Sequence, residues 1–351
     1  MISVDSFMAV SFGTLSILGA HTAGVTSIRV SPDGRIFSAS LDSTIREWPS
    51  GKTLIRFPKI RLYHKLVQPH CLNLALAGNV IVCGMQHGTV NLYGSDGAFL
   101  RDLPNPIEKS AYPYNFHTVT ANPSDPDIIA GSNGGYLVVW SAKEGKIIWR
   151  ETSFRLINTV RFLKGGSVLM AHEWDPWIHL WSFDTFQRIR WQTSLMETSA
   201  NWVTACAAPA NSKLDLVIAT EDSDESSLIG ANLDTAKQLW SGSSEARIHD
   251  VAFLPDGRHL LSGGDEGTLE LWNLARKGAS QKLHLRDAPE LAGKIAAPPK
   301  RRSGIILTAP VLDEDSYPPS TIHCLDIAPD ASFAVLGLVN GLVLRVELRN
   351  K

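Results

Sequence analysis

Short apolar runs with strand-like alternation recur along the whole chain, separated by turn-forming residues. The clearest instance lies between Gly19 and Trp48. Val25, Ile28 and Val30 mark a first strand and Ser31-Pro32-Asp33-Gly34 a turn; Ile36 to Ser40 form a second strand, Asp42 a polar corner, and Thr44 to Trp48 a third strand ending on an indole. Alternation of period two, bounded by Gly, Pro and Asp, argues for strands over helix. The same order returns from Asn79 to Tyr93, with His87 at the corner. A third unit takes Ala121 to Asp127 as its turn, where Pro123 and Pro126 argue against a strand, and Gly134 to Trp140 as its third strand. Later units run through Asn158 to Trp181, Trp202 to Leu233 and Ile248 to Trp272.

Aligned on the residue that ends the third strand, the units fall at Trp48, Tyr93, Trp140, Trp181, a position near Ala231, Trp272 and a position near Val346. A spacing of roughly 40–50 residues, with a longer last interval, predicts about seven units of about four strands each. Thr14 to Leu18 predicts one more strand ahead of the first unit, whereas Gly341 to Leu348 reads as a third strand with no fourth behind it. Pairing the two is the expected closure, since it removes both exposed edges. The long interval, from about 276 to 320, holds Ala297-Pro298-Pro299-Lys300-Arg301-Arg302, Asp313-Glu314-Asp315 and Pro318-Pro319. Such a mixture of Pro and charge is expected of a mobile insertion.

With its small-residue and His corner at Gly19-Ala20-His21, the first unit resembles the repeat of the WD40 β-propeller family; Ala20 and Pro49 stand where that pattern has Gly and Asp. The resemblance covers essentially the whole chain and is closest in the first and sixth units. It implies an all-β fold: a seven-bladed WD40-type β-propeller spanning 1–351 as one domain, closed by the N-terminal strand in the C-terminal blade. It also implies a buried hydrogen-bonded chain of His21, Ser40, Asp42 and Trp48 in the first blade. A carboxylate is tolerable in a core only when its oxygens are paired, and a satisfied network of this kind stiffens a small sheet. Gly145 to Trp149, Gln187 to Trp191 and Asp234 to Trp240 resemble the fourth strands of quinoprotein-type propellers, without the residues of a quinone site. Their indoles are expected to pack between blades.

Composition changes this picture little. The 351 residues are 44% hydrophobic and 19% charged, with a net charge of −2, so no basic excess advertises nucleic acid. Cys71, Cys83, Cys206 and Cys324 form no Cys-x-x-Cys pair, and the crowding of His64, His70, Cys71, Cys83 and His87 fits no zinc spacing. Buried free thiols in a reducing compartment are the expectation. No run is long and apolar enough to span a bilayer, and the N-terminal stretch, with Asp5 and no basic region, reads as strand rather than signal peptide. With no Asn-x-Ser/Thr acceptor, an intracellular setting, nuclear or cytoplasmic, is expected.

No catalytic constellation emerges. His172-Glu173 begins like a His-Glu-x-x-His motif, but the second His is missing and Pro176 would break the helix it needs. The expectation is a non-enzymatic protein without cofactor or metal. In the family resembled here, the corners between second and third strands share one rim of the ring. That rim would carry Asp42, Glu173, Asp175, Glu221, Asp222, Asp224, Glu225, Asp265 and Glu266, with Trp174 and Trp177 beside the acids of the fourth unit. Carboxylates around aromatic rings suit a basic peptide carrying Lys or Arg; the other reading of the same charges is structural corners and solvated loops.

The expected function is a scaffold that holds a multiprotein complex together, a monomeric propeller with other proteins as partners, no membrane and no direct nucleic-acid contact. Two alternatives stay open. One is a substrate receptor of a cullin-type ubiquitin ligase, although Trp48-Pro49-Ser50-Gly51 and Trp272-Asn273-Leu274-Ala275 depart from the Trp-Asp-x-Arg of such receptors. The other is a chromatin or histone-peptide reader, suggested by the acidic rim and by Pro298-Pro299-Lys300-Arg301-Arg302.

Overall fold

The computed structural model describes residues 10–62, 65–105, 116–133, 136–152, 157–173, 178–189, 202–209, 211–222, 225–235, 237–276, 278–295 and 318–350. Among them are seven four-stranded antiparallel sheets, each built from consecutive strands except the last. The first blade is Val25–Val30, Ile36–Ser40, Thr44–Trp48 and Lys52–Arg56; the second is Cys71–Ala77, Val80–Met85, Val90–Gly94 and Phe99–Leu103. The third is Phe116–Ala121, Ile128–Asn133, Tyr136–Ser141 and Lys146–Thr152, and the fourth Ile157–Leu163, Val168–Glu173, Ile178–Ser182 and Arg188–Ile189. Trp202–Ala207, Leu216–Asp222, Glu225–Asn232 and Lys237–Ser244 make the fifth, and Ile248–Phe253, His259–Gly264, Thr268–Asn273 and Ala279–His284 the sixth. In the seventh, Ile322–Ile327, Phe333–Leu338 and Leu342–Asn350 are completed by Val10–Ala20 from the other end of the chain.

Period-two alternation explains how these sheets form a ring. Ile36 packs toward the seventh blade and its neighbour Phe37 toward the second, because successive side chains leave a strand on opposite faces. Both faces of each blade are therefore apolar, and each apolar cluster straddles two neighbours. Met170 meets Ile218 between blades four and five, Trp240 meets Trp272 between five and six, and Leu271 meets Leu336 between six and seven. Phe333 and Val335 then meet Val25 and Ile36, so the series of wedges returns to blade one. The expected strand-ending residues Trp48, Tyr93, Trp140, Trp181, Ala231 and Trp272 all lie in third strands and all are buried.

The expected closure is present and longer than Thr14 to Leu18. Val10 pairs with Asn350, Leu15 with Val346 and Ala20 with Leu342, with register shifts after Phe12 and Ile17. Val10 and Leu15 are buried in the wedge between blades six and seven. The insertion needs correction at its near end. Ala279–His284 is the outer strand of blade six, and Leu285, Ala288 and Leu291 beyond it are buried in the same wedge as Leu15. Residues 296–317, with the basic and acidic runs, lie outside the described residues.

One irregularity repeats around the circumference. Tyr93 pairs with Phe99 and Leu92 with Arg101, so Leu100 has no residue opposite it; Ile148 in blade three and Leu239 in blade five are left unmatched in the same way. Such a bulge turns the strand and re-aims its side chains. In blade three it sends Ile147 into the wedge with blade two and Trp149 into the wedge with blade four, where Trp149 stacks on Phe186 at 5.0 Å. In blades two, three and five the unmatched residue is left exposed, whereas its counterpart in blade one, Leu54, packs against the wedge with blade two.

Candidate functional site

The corners of the ring are where the polar chemistry collects. In blade one, His21 Nδ1 lies 2.9 Å from Asp42 Oδ2 and His21 Nε2 lies 2.7 Å from Ser38 Oγ, which also accepts the Trp48 indole N–H at 2.7 Å. The serine of this chain is therefore Ser38, not the expected Ser40. Both point to the same face, being two residues apart, but Ser40 serves the corner backbone: its hydroxyl donates to Ala23 O at 2.9 Å and accepts Asp42 N–H at 3.0 Å. Asp42 also accepts the N–H groups of Thr22 and Thr44, at 3.2 and 3.0 Å. Burial pushes the Asp42 carboxyl up, but the contacts with His21 and Thr44 outweigh it and hold the group well below the usual carboxylate range.

Blade six satisfies its indole differently. Trp272 Nε1 donates to Ser262 Oγ at 2.9 Å, Ser262 donates to Glu270 Oε2 at 3.4 Å, and Lys282 Nζ on the outer strand lies 2.9 Å from Glu270 Oε1. The carboxylate thus comes from the third strand, and its cation from the fourth. Ser262, Glu270 and Lys282 escaped the sequence reading, as Ser38 did. The signal for the serines was there: Ser38 and Ser262 hold equivalent places ahead of their tryptophans, while the counterpart of Ser40 is Gly264, which has no hydroxyl. Trp140 and Trp240 use backbone instead, donating to Pro104 O at 2.9 Å and Arg276 O at 2.8 Å.

With Glu270 in that role, the corner Asp265 turns to the inner strand, where its Oδ1 lies 2.6 Å from His249 Nε2 and accepts from Thr321 Oγ1 at 3.4 Å. His323 on the next blade has its ring 6.2 Å from His249; burial, and then the neighbouring imidazole, drive its pKa down to about 3, so it is neutral at neutral pH. Glu266 is exposed and pairs with Arg286 at 3.3 Å. Of the expected rim acids, then, Asp42, Asp265 and Glu266 are already engaged within the chain. Glu173 ends the second strand of blade four, Glu221 and Asp222 are the last two residues of the second strand of blade five and Glu225 is the first of its third, while Trp174, Asp175, Trp177 and Asp224 lie outside the described residues.

The inner strands line a central cavity of about 680 Å³. Asp250 of blade six accepts Leu325 N–H of blade seven at 3.0 Å, and Asp326 of blade seven accepts Val30 N–H of blade one at 2.8 Å. These carboxylates staple blade six to blade seven and blade seven to blade one, on either side of the blade that the closing strand completes. Burial raises both carboxyl pKa values, against the opposing pull of Arg29. Arg29 and Arg161 in turn donate to Ile28 O and Val160 O beside them. Among the described residues no group of three or more His, Cys, Asp or Glu side chains is arranged to hold a metal ion, and no helix is long and apolar enough to cross a membrane. Cys71, Cys83 and Cys324 are buried free thiols.

Comparison with known proteins agrees with this architecture. The WD40 family model, described as WD domain, G-beta repeat, matches residues 12–49 and 235–273. Each match ends just past the indole of its third strand, at Trp48 and at Trp272. Apoptotic protease-activating factor 1 of Danio rerio is 31% identical over 129 residues, which is 32% of this chain and 10% of that protein. Periodic tryptophan protein 2 of Arabidopsis thaliana is 23% identical over 175 residues, 49% of this chain and 19% of that protein. The chain therefore spans a small part of either relative. WD40 propellers generally bind other proteins and are generally not catalysts. Two repeats that match the WD40 model, set in a closed ring of seven four-stranded blades, make this chain a seven-bladed β-propeller that carries WD40 repeats.

Proposed function

We propose that this propeller is a non-catalytic, intracellular scaffold that holds partner proteins against its outer circumference within a larger complex. The observation that carries this reading is the row of bulged aliphatic residues on the outer strands. Leu100 is 50% exposed, Ile148 39% and Leu239 50%, with Phe99 beside Leu100 at 57%. Single exposed apolar side chains need no partner, but Phe99 and Leu100 stand side by side, with Ile148 on the next blade, and contiguous exposed apolar surface of this kind is what a bound protein covers. The corner acids support a basic-peptide site less well, since Asp42, Asp265 and Glu266 already have partners in the chain.

Burying one such aliphatic side chain in an interface contributes about 1–2 kcal/mol. The variant carrying Leu100→Asp, Ile148→Asp and Leu239→Asp should therefore keep its circular dichroism and melting midpoint and recover at least one stoichiometric partner about tenfold less well in affinity purification with mass spectrometry. Retention of every partner by the folded triple variant, or the lack of any stoichiometric partner for the unaltered chain, would contradict the proposal.

A further inference from the structure

A small two-stranded sheet stands apart from the seven blades. Ile60–Leu62 pairs with Lys65–Val67, with Arg61 opposite Leu66, in the segment joining the outer strand of blade one to the inner strand of blade two. Its stem is firmly held. Phe57 is buried, its N–H donates to Ser43 O at 3.0 Å, and its carbonyl accepts from Gln68 Nε2 at 2.6 Å. On the return side, His70 Nδ1 lies 2.9 Å from Ser43 Oγ, and His70 O accepts Gln86 N–H at 2.9 Å. The hairpin is thus fastened to the corners of blades one and two, on the rim that carries Asp42.

Its charge is one-sided. Lys52, Arg56, Lys59, Arg61 and Lys65 fall in a stretch that has no Asp or Glu between Glu47 and Asp96, although the chain as a whole carries a net charge of −2. Arg56, Lys59 and Arg61 are exposed, and among the described residues none of them has an ion-pair partner. Some cations elsewhere have a carboxylate partner, as in Arg35 with Glu47, Arg286 with Glu266 and Arg345 with Glu347. Others, such as Lys143, Lys213 and Lys237, are exposed without one among the described residues. What sets the hairpin apart is that its whole stretch holds no acid. Between these cations stands Leu66, 65% exposed and opposite Arg61.

We propose that this hairpin is a docking element for an acidic protein segment in which carboxylates alternate with aliphatic side chains. The proposal rests on the scaffold reading and names the partner class of one further surface. Carboxylates would meet Lys59 and Arg61, and an aliphatic side chain would cover Leu66, so both kinds of exposed group are used. A nucleic acid would leave Leu66 uncovered. The paired strands reach only about 10 Å at roughly 3.3 Å per residue, so a longer polyanion would run onto a ring with carboxylates at its other corners. Among the hairpin's described side chains Leu66 is the only exposed aliphatic one, which gives a lipid surface little to embed.

Fluorescence anisotropy on the purified full chain tests this. The probe is a labelled synthetic peptide of repeating Glu-Glu-Leu. Against it stand a Glu-Glu-Ser peptide, a uridine oligonucleotide and vesicles of phosphatidylcholine with phosphatidylserine. The Glu-Glu-Leu peptide should bind saturably and more tightly than the other three. Lys59→Glu with Arg61→Glu should weaken it about tenfold, and Leu66→Ser about threefold, with unchanged melting midpoints. Equal affinity for the charge-reversed chain, no saturable binding of the peptide, or tighter binding of the oligonucleotide or the vesicles would overturn the assignment. The two readings fail separately: a chain that keeps its circumferential partners but ignores the peptide loses only the hairpin, whereas one with no stoichiometric partners loses the scaffold itself.

Discussion

Removing residues 1–20 should destabilise the propeller by about 4 kcal/mol or more, the scale of truncating two buried aliphatic side chains. The deletion takes Val10 and Leu15 out of the wedge between blades six and seven and leaves Leu342–Asn350 without its outer neighbour. A nine-residue strand with a bare edge invites pairing with another chain. Urea unfolding should show the lost stability, and size-exclusion chromatography should show oligomers where the full chain gives one peak. Because domain stabilities are themselves about 5–15 kcal/mol, much of the ring's margin would be gone. Adding the missing strand as a separate peptide covering Val10–Ala20 should return part of the stability, since its partner strand is otherwise intact.

The second large effect lies in the blade-one network. Ser38→Ala should cost about 2–3 kcal/mol, because it strands the Trp48 N–H and a His21 ring nitrogen away from water. Ser40→Ala should cost about 1 kcal/mol, since it removes a hydroxyl that serves the corner backbone. Asp42→Asn should cost about 2 kcal/mol near neutral pH, and here the pH dependence is diagnostic. The Asp42 carboxyl is held below its ordinary value in the folded chain, so the stability it lends is complete above about pH 4 and is withdrawn as pH falls toward the folded value. The gap between the unaltered chain and Asp42→Asn should therefore narrow below pH 4. Asp250 and Asp326 act with the opposite sign: their raised values mean that acid relieves a cost, so they do not drive acid unfolding. Urea midpoints across pH 3–7 separate these contributions.

Much of the fold is legible from single residues. The third-strand endings could be found because an indole or phenol wedged between two blades leaves a large, rare side chain at a regular interval; Trp48, Trp140, Trp181 and Trp272 are buried in such wedges. Closure was readable because the final run stops one strand short while an apolar run precedes the first unit. The outer strand of blade six was lost in the insertion because Ala279–His284 is half-solvated and reads as polar loop.

The networks were harder. Ser38 and Ser40 share a strand face, and period two cannot choose between them. Glu270, flanked by Leu269 and Leu271, has the pattern of a solvent-facing charge; only its place behind Lys282 and beside Ser262 makes burial tolerable. The acid-free run around the hairpin is plain in composition once taken by segment, but a net charge of −2 averages it away. The rim could be placed by topology, whereas whether its acids were free depended on partners such as His249 and Arg286 that come from other elements.

The joining of the two ends of the chain is the claim on which everything else rests, and one cross-link tests it. Ser16 and Arg345 face each other across the closing pair, and Ser16 is exposed. In the chain carrying Ser16→Cys and Arg345→Cys, mild oxidation followed by peptide mapping should show these two positions joined in most molecules, with the urea midpoint raised. If they stay unlinked while the protein remains folded, the ring is not closed by its own termini.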